Sequence, residues 1–236
     1  KKIKYKILIM KVVILAGGKG TRLSEYTKQI PKPMVKVKGK PLIVYIMKHY
    51  AKYGFKDFII ATGYKHKYIK NFFKKNTFGW NIEIINTGVN SMTGGRIRRL
   101  KKILKNKKFF LTYGDGLSNV NLKKLLNFHN STNGYATLTA VRPPARFGAI
   151  KVLGNKVQVF REKSNLDVGW INGGFFVFES KIFDYLNSDQ TILEKKPLTN
   201  LGKQKKLHAF KHNGFWYCMD TIRDKEIIEK SKNIKF

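Results

Sequence analysis

In residues 12–23, Val-Val-Ile-Leu-Ala-Gly-Gly-Lys-Gly-Thr-Arg-Leu, an apolar run leads into three glycines and then a fixed positive charge at Arg22. Gly17, Gly18 and Gly20 lack the Cβ that would keep backbone N–H groups from closing on phosphate oxygens, so this turn is a candidate anion cradle. It takes in Leu15, Ala16, Gly17, Gly18, Lys19, Gly20, Thr21 and Arg22. Pro31-Lys32-Pro33-Met34 follows within one short loop. Prolines on both sides of Lys32 fix the backbone around it, which aims a second cation near the glycines at reduced entropic cost. The spacing contains no G-x-x-x-x-G-K-S/T, and G-x-G-x-x-G cannot be laid over Gly18, Gly20 and Leu23. A kinase-type phosphate loop and a NAD fold are therefore both disfavoured. Taken alone, the stretch is equally readable as a tight strand-to-helix connection.

The elements that must position these groups alternate along the chain. Val12 to Ala16 can be buried on both faces, as a parallel strand is. Helices are expected over 41–53, 66–74, 93–104 and 121–130, interleaved with strands over 57–62, 82–86 and 109–113. After Tyr135 strands dominate, at 136–141, 149–153, 157–162 and 173–178. A helix over 192–203, strands at 207–211 and 215–219 and a final helix from Thr221 complete the pattern. Repeated βα units predict an α/β, Rossmann-like fold with a mainly parallel central sheet, right-handed crossovers and extra strands in the C-terminal half. Such sheets bind ligands beyond the carboxyl ends of their strands. Asp115, in Tyr113-Gly-Asp-Gly116, and Asp220, just past Phe215-Trp-Tyr-Cys-Met, both fall at strand ends. An aspartate between glycines is also ordinary turn chemistry. With only 14 acidic residues in the chain, two at the phosphate end of the sheet suit Mg²⁺, which takes one or two carboxylates together with water and substrate phosphates.

The chain has 236 residues, 42% of them hydrophobic, enough for one sizeable core and one domain, expected over 10–236. Residues 1–9 read as an extension outside that fold, with Met10 as a natural start. One cysteine, Cys218, excludes an internal disulfide framework and fits a reducing, cytoplasmic setting. No apolar run approaches the roughly 18 residues needed to span a bilayer, and no membrane partner is expected. The formal net charge of +34 would ordinarily point to nucleic acid. Only eight of the 48 basic residues are arginine, and no zinc-finger, RRM or basic-zipper pattern accompanies them. The lysine clusters read as solvated surface, with weak salt-sensitive sticking and no specific nucleic-acid partner. The five histidines show no metal spacing.

The glycine loop followed by Pro-Lys-Pro resembles the signature of the sugar-1-phosphate nucleotidyltransferases, L-A-G-G-x-G-T-R-L then P-K-P. Further segments extend the resemblance in the same order: Ser91-Met-Thr-Gly-Gly-Arg96, Thr112-Tyr-Gly-Asp-Gly116, Pro143 to Gly148, Glu162-Lys163, Ile171-Asn-Gly-Gly-Phe-Phe-Val177 and Gly214-Phe-Trp to Thr221. Within the family these motifs are most similar to those of the branch that transfers a cytidylyl group from CTP to α-D-glucose 1-phosphate, giving CDP-glucose and pyrophosphate. The resemblance implies that Asp115 and Asp220 hold Mg²⁺, and that Arg22 and Lys32 stabilise charge on the triphosphate and departing pyrophosphate. It adds Ser91, Arg96 and Gly114 to the nucleotide site, and Glu162, Lys163, Asn172 and Gly173 to the sugar-phosphate site. Read without the family, Ser91 to Arg96 is also a capped helix start with a surface arginine, and Asn172-Gly173-Gly174 a turn or bulge. Ser164 replaces the proline of the family's E-K-P, Ile30 stands where arginine commonly precedes P-K-P, and the 75–82 connection is shorter than the family's usual insertion. That insertion contributes to subunit and nucleotide contacts in relatives, so a homo-oligomer and the base remain open. The alternatives are a uridylyl or thymidylyl transferase, and a non-catalytic anion-binding protein associated with nucleic acid or a partner enzyme.

Overall fold

The computed structural model describes residues 10–144, 148–162 and 169–232. The expected extension 1–9 and the sugar-phosphate candidate Lys163 lie outside the described residues.

The chain begins with β1 (Lys11–Ala16), a 3-10 turn (Thr21–Leu23), α1 (Ser24–Thr27) and a second 3-10 turn (Lys32–Met34). A small hairpin, β2 (Lys36–Val37) and β3 (Lys40–Pro41), leads into α2 (Leu42–Lys52). Then come β4 (Asp57–Thr62), α3 (His66–Lys75), β5 (Asn81–Asn86), α4 (Thr93–Arg98), α5 (Lys101–Leu104), β6 (Phe109–Tyr113) and β7 (Gly116–Ser118). The second half holds α6 (Leu122–Asn130), β8 (Ala136–Val141), β9 (Ala149–Leu153), β10 (Lys156–Arg161), β11 (Ile171–Asn172), β12 (Phe176–Phe178) and a 3-10 turn (Ser180–Tyr185). It closes with α7 (Lys196–Lys203), β13 (Leu207–His212), β14 (Trp216–Cys218) and α8 (Ile222–Lys230).

The central sheet runs β11-β8-β12-β6-β1-β4-β5, and β13 also pairs with β8, in parallel. β1 lies parallel to both β4 and β6, and β5 continues the parallel half beside β4. β12 enters antiparallel between β6 and β8. The expected α/β architecture with extra C-terminal strands is the one found. Alternation along β1 explains its central place: Val12, Ile14 and Ala16 enter one apolar cluster and Val13 and Leu15 the other. The first cluster is shared with Leu42, Ile46 and Tyr50 of α2, the second with Ile97 of α4 and Leu201 of α7. Both faces of the sheet are thus covered, and each of these fully buried aliphatic side chains contributes roughly 1.5–3 kcal/mol.

Three expected elements change form. The helix over 93–104 is two helices, α4 and α5, broken at Arg99 and Leu100, where Arg99 is drawn onto Asp189 through Nε–Oδ1 at 3.1 Å and Nη2–Oδ2 at 2.5 Å. The strand over 173–178 is shortened to β12 because Gly174 (φ +74°) and Phe175 (φ +48°) are left-handed, with β11 lying before it, and the register against β8 slips between β11 and β12. The helix over 192–203 starts only at Lys196, because Pro197 fits nowhere but a first helical turn. The short link after α3 closes on aromatic packing, with Phe78 stacked on Trp80 at 4.9 Å and Trp80 against Phe58 at 5.4 Å. Ile30 packs on the first cluster. Among the described residues no helix is long and apolar enough to cross a membrane.

Candidate active site

A cavity of about 330 Å³ opens at the carboxyl ends of β1 and β6, within the range of small-molecule sites. All the expected nucleotide-binding residues line it except Lys19, which is exposed on the loop; Asp115, Tyr113 and Thr93 line it as well.

The three glycines of the loop serve different ends. A Cβ on Gly17 would fall 2.1 Å from Arg96 Nη1, so that glycine admits a guanidinium. Gly20 is left-handed (φ +65°) and leaves no room beside Thr27 and Lys32, whereas a Cβ on Gly18 would meet nothing within 4 Å. Among the described residues no hydrogen-bond acceptor takes the N–H groups of Gly18, Lys19 or Gly20. These donors belong to the loop that the sequence marks as an anion cradle.

Two acids and two cations converge at one edge of the cavity. Lys32 Nζ donates to Asp115 Oδ2 at 2.8 Å and to Asp220 Oδ1 at 2.6 Å, and Arg22 Nη1 donates to Asp220 Oδ2 at 2.7 Å. Burial alone would lower the Lys32 pKa, but the Asp115 charge and the hydrogen bonds to both carboxylates outweigh it and the pKa ends raised. The ammonium therefore stays charged. Asp115 and Asp220 meet because β7 and β14 pair antiparallel, Gly116 opposite Cys218, and the Met219 N–H donates to the Asp115 carbonyl at 3.0 Å. Asp220 is held in turn by Asp224, whose Oδ2 accepts from the Asp220 N–H at 3.1 Å and from the Thr221 N–H at 2.8 Å in the capping box that opens α8. Neither β7 nor the role of Asp224 was visible in the sequence pattern, although Thr221-Ile-Arg-Asp224 carries the spacing of a capped start.

The donor set suits a hard divalent cation. Single ligand atoms of Asp115, Cys218 and Asp220 lie within 4.8 Å of one another. Burial, reinforced by the charges of the two aspartates, pushes the Cys218 thiol up, so it stands neutral and leaves the carboxylate oxygens as the donors.

Arg96 is buried and turned inward. Its Nη1 donates to Thr87 Oγ1 at 2.9 Å and to the Gly88 carbonyl at 2.6 Å, and its Nη2 to the Gly17 carbonyl at 2.8 Å. The expected anion ligand thus also braces the glycine loop. Ser91 Oγ donates to the Thr87 carbonyl at 2.6 Å, and Gly114 packs under Pro33, with its N–H on the Leu15 carbonyl at 3.0 Å.

The expected sugar-phosphate residues are more dispersed. Glu162 follows the exposed ribbon of β9 and β10, its Oε2 beside Gly148. Asn172 reaches the cavity through a lining residue: its Nδ2 donates to Tyr113 Oη at 3.3 Å, while its Oδ1 accepts the Gly174 N–H at 2.9 Å. A Cβ on Gly173 would fall 2.7 Å from Val141 Cγ1, so in this structure the glycine serves packing on β8, and its carbonyl accepts from Trp216 Nε1 at 2.8 Å. Glu194, absent from the sequence expectations, accepts from Tyr113 Oη and from Thr93 Oγ1, each at 2.6 Å.

Comparison with known proteins agrees with this geometry. The glucose-1-phosphate cytidylyltransferase of Salmonella typhimurium is 44% identical over 243 residues, covering 93% of this chain and 95% of that protein. A probable glucose-1-phosphate cytidylyltransferase of Bacillus subtilis is 41% identical, covering 94% of this chain and 95% of that protein. Among solved structures, HddC from Yersinia pseudotuberculosis complexed with GMP-PN superposes with a TM-score of 0.73 at 27% identity, covering 94% of this chain and 98% of that one. The family described as Nucleotidyl transferase matches residues 11–230, and the chain belongs to it.

Proposed function

We propose that this protein transfers the cytidylyl group of CTP to α-D-glucose 1-phosphate, giving CDP-glucose and pyrophosphate. The reading rests on one observation above the others: two strand-end carboxylates and two cations meet at the edge of a glycine-walled cavity. A phosphate oxygen of glucose 1-phosphate attacks the α-phosphorus of CTP in line. A new P–O bond forms, the α–β bridging bond breaks, and pyrophosphate leaves with the electron pair. No protein nucleophile is needed, so catalysis consists of positioning two polyanions and offsetting their charge. Asp115 and Asp220 would hold Mg²⁺, which when bound neutralises and orients phosphate oxygens. Arg22, 72% exposed at its side chain, and Lys32, on its flexible four-carbon stem, supply positive charge to the triphosphate and to the departing pyrophosphate. The loop N–H groups of 18–20 receive phosphate oxygens, and Asn172 holds the sugar with its remaining amide hydrogen. Residues 10–236 act in this reading as one domain.

The base rests on similarity to the relatives named above, because no described residue is placed against a cytosine edge. A site built to pair with the exocyclic amine of cytosine leaves polar groups unsatisfied against the carbonyl of uracil or thymine. Pyrophosphate release across CTP, UTP, dTTP, ATP and GTP with glucose 1-phosphate tests this. The expected kcat/KM for CTP exceeds those for UTP and dTTP by at least about tenfold, or about 1.4 kcal/mol. Comparable rates with UTP or dTTP refute the cytidylyl assignment, and no turnover with any of them refutes the enzyme.

A further inference from the structure

Among the polar groups that the proposed reaction leaves unused, Glu194 is the one whose contacts reach both substrate regions. Its Oε1 accepts from Tyr113 Oη at 2.6 Å and its Oε2 from Thr93 Oγ1 at 2.6 Å. Tyr113, at the end of β6, and Thr93, at the start of α4, both line the cavity. The chain of bonds continues past Tyr113, because the same hydroxyl accepts from Asn172 Nδ2 at 3.3 Å. It also continues past Thr93, whose Oγ1 accepts the Leu193 N–H at 2.9 Å. One carboxylate thus joins the segment expected to hold the sugar to the helix expected to border the nucleotide.

Proton directions along this chain are fixed. An ionised carboxylate only accepts, so Tyr113 must point its single O–H at Glu194, and its lone pairs face Asn172. Asn172 must then present an N–H, not its carbonyl oxygen, to Tyr113, and the Gly174 N–H on Asn172 Oδ1 reinforces that orientation. What remains for a ligand is the second amide hydrogen and one oxygen lone pair, at a fixed angle. Replacing the carboxylate by an amide removes this determinacy, since the amide can donate to Tyr113 and turn its O–H toward Asn172.

We propose that Glu194 is a positioning residue for the sugar subsite, setting through Tyr113 the orientation of the Asn172 side chain that meets the sugar 1-phosphate. This inference rests on the proposed function, because it assigns the Asn172 side to the sugar. Among the described residues, Glu194 touches neither Asp115 nor Asp220 and meets the nucleotide side through the Thr93 and Tyr113 hydroxyls alone, so its loss acts mainly on sugar binding.

Steady-state kinetics of Glu194→Gln and Tyr113→Phe, with sugar 1-phosphate and NTP varied separately, test the assignment. Loss of a charge-assisted hydrogen bond commonly costs roughly tenfold or more, so the expected result is a KM for sugar 1-phosphate raised at least about tenfold in each variant. The KM for the nucleotide should change several-fold less than the KM for sugar 1-phosphate in each variant. Because the two residues act in series, the double variant should be no worse than the poorer single one. A purely structural role would lower kcat through a smaller folded fraction and leave both KM values alone. Unchanged sugar KM in both single variants, or effects that multiply in the double variant, overturns the proposal while the wild-type activity upholds the functional reading. If Glu194→Gln fails to fold, Tyr113→Phe, which keeps the ring, decides alone. If the wild-type protein turns over no NTP, the functional reading has failed. Calorimetric titration with glucose 1-phosphate then decides the positioning role, upheld by wild-type binding that Tyr113→Phe weakens and overturned by equal or absent binding.

Discussion

Replacing Lys32 by methionine should make the stability of this protein depend on divalent metal. The Lys32 ammonium is the cation shared by Asp115 and Asp220, at 2.8 Å and 2.6 Å, and its side chain is only 9% exposed. Methionine keeps the apolar stem and removes the charge, leaving two carboxylates whose oxygens lie within 4.8 Å of each other. At an effective dielectric of about 20 their repulsion is about 3 kcal/mol. The aspartates are 26% and 19% exposed, so water screens part of it and about 2 kcal/mol remains as an order of magnitude. For a chain of this size that corresponds to a melting temperature lower by roughly 4–8 °C. A divalent cation bound between the carboxylates would replace the lost charge, and at a hundredfold over its Kd would return about 2.7 kcal/mol. The assay is a thermal melt of wild type and Lys32→Met in chelator and in excess Mg²⁺, with the variant gaining more from Mg²⁺ than the wild type, whose own ammonium competes for the place. A variant that melts within about 2 °C of wild type in chelator would show that Lys32 does not hold the carboxylates together. A variant destabilised in chelator and unmoved by Mg²⁺ would remove the metal from this pair.

Two further outcomes follow from the same geometry. Asp115→Asn and Asp220→Asn should each lose most turnover while melting within a few degrees of wild type, because strand-end carboxylates contribute little packing; retention of more than about a tenth of kcat, a loss under roughly 1.4 kcal/mol, removes that residue from the metal site. Burial lowers the His49 pKa from 6.5 to about 4, against the hydrogen bond to the Val120 carbonyl. A histidine with a depressed folded pKa favours the neutral form. Its contribution is complete above about pH 6.5 and is lost as pH falls toward 4, by at most about 3 kcal/mol. Melts of wild type and His49→Phe across that window should show a shallower acid slope in the variant; equal slopes would refute the assignment.

Three strands of the parallel half, β1, β4 and β6, were legible because they are buried on both faces. The runs at 57–62 and 109–113 are built on apolar stretches, 58–61 and 109–111, with turn signals after them, and the strands take those bounds. The cluster at Asp115 was legible for a second reason: strand ends of an α/β sheet are where its ligands sit. What escaped the sequence depends on partners remote along the chain. β7 has three residues, too few for a periodicity, and exists because β14 pairs with it about a hundred residues later. Glu194 stands in Leu-Glu-Lys-Lys-Pro with no local pattern, since its two partners are 101 and 81 residues away. The family resemblance put Arg96 in the nucleotide site, but only packing could show what its donors touch.

Arg96 links the glycine pattern to the cavity in a way the loop sequence does not contain. Its Nη2 and the Tyr64 N–H both hold the Gly17 carbonyl, at 2.8 Å and 3.0 Å. A trans peptide sets its C=O and N–H in opposite directions, so fixing that carbonyl toward Arg96 turns the following N–H, that of Gly18, the other way. Gly18 is also the loop glycine whose Cβ direction is open. The donor is therefore presented by a buried guanidinium on the far side of its own peptide, and little reorganisation is left for an arriving anion to impose. Gly63, just past β4, supports the same arrangement, since a Cβ there would fall 2.5 Å from Arg96 Nη1. Gly17 is thus a glycine for the passage of Arg96, Gly63 for that passage and for the close approach of the Gly88 and Gly17 carbonyls, and Gly18 for access to the cavity. A loop read as three equivalent glycines is, in three dimensions, Gly17 packed against a guanidinium, Gly20 held left-handed beside Thr27 and Lys32, and Gly18 open on its Cβ side.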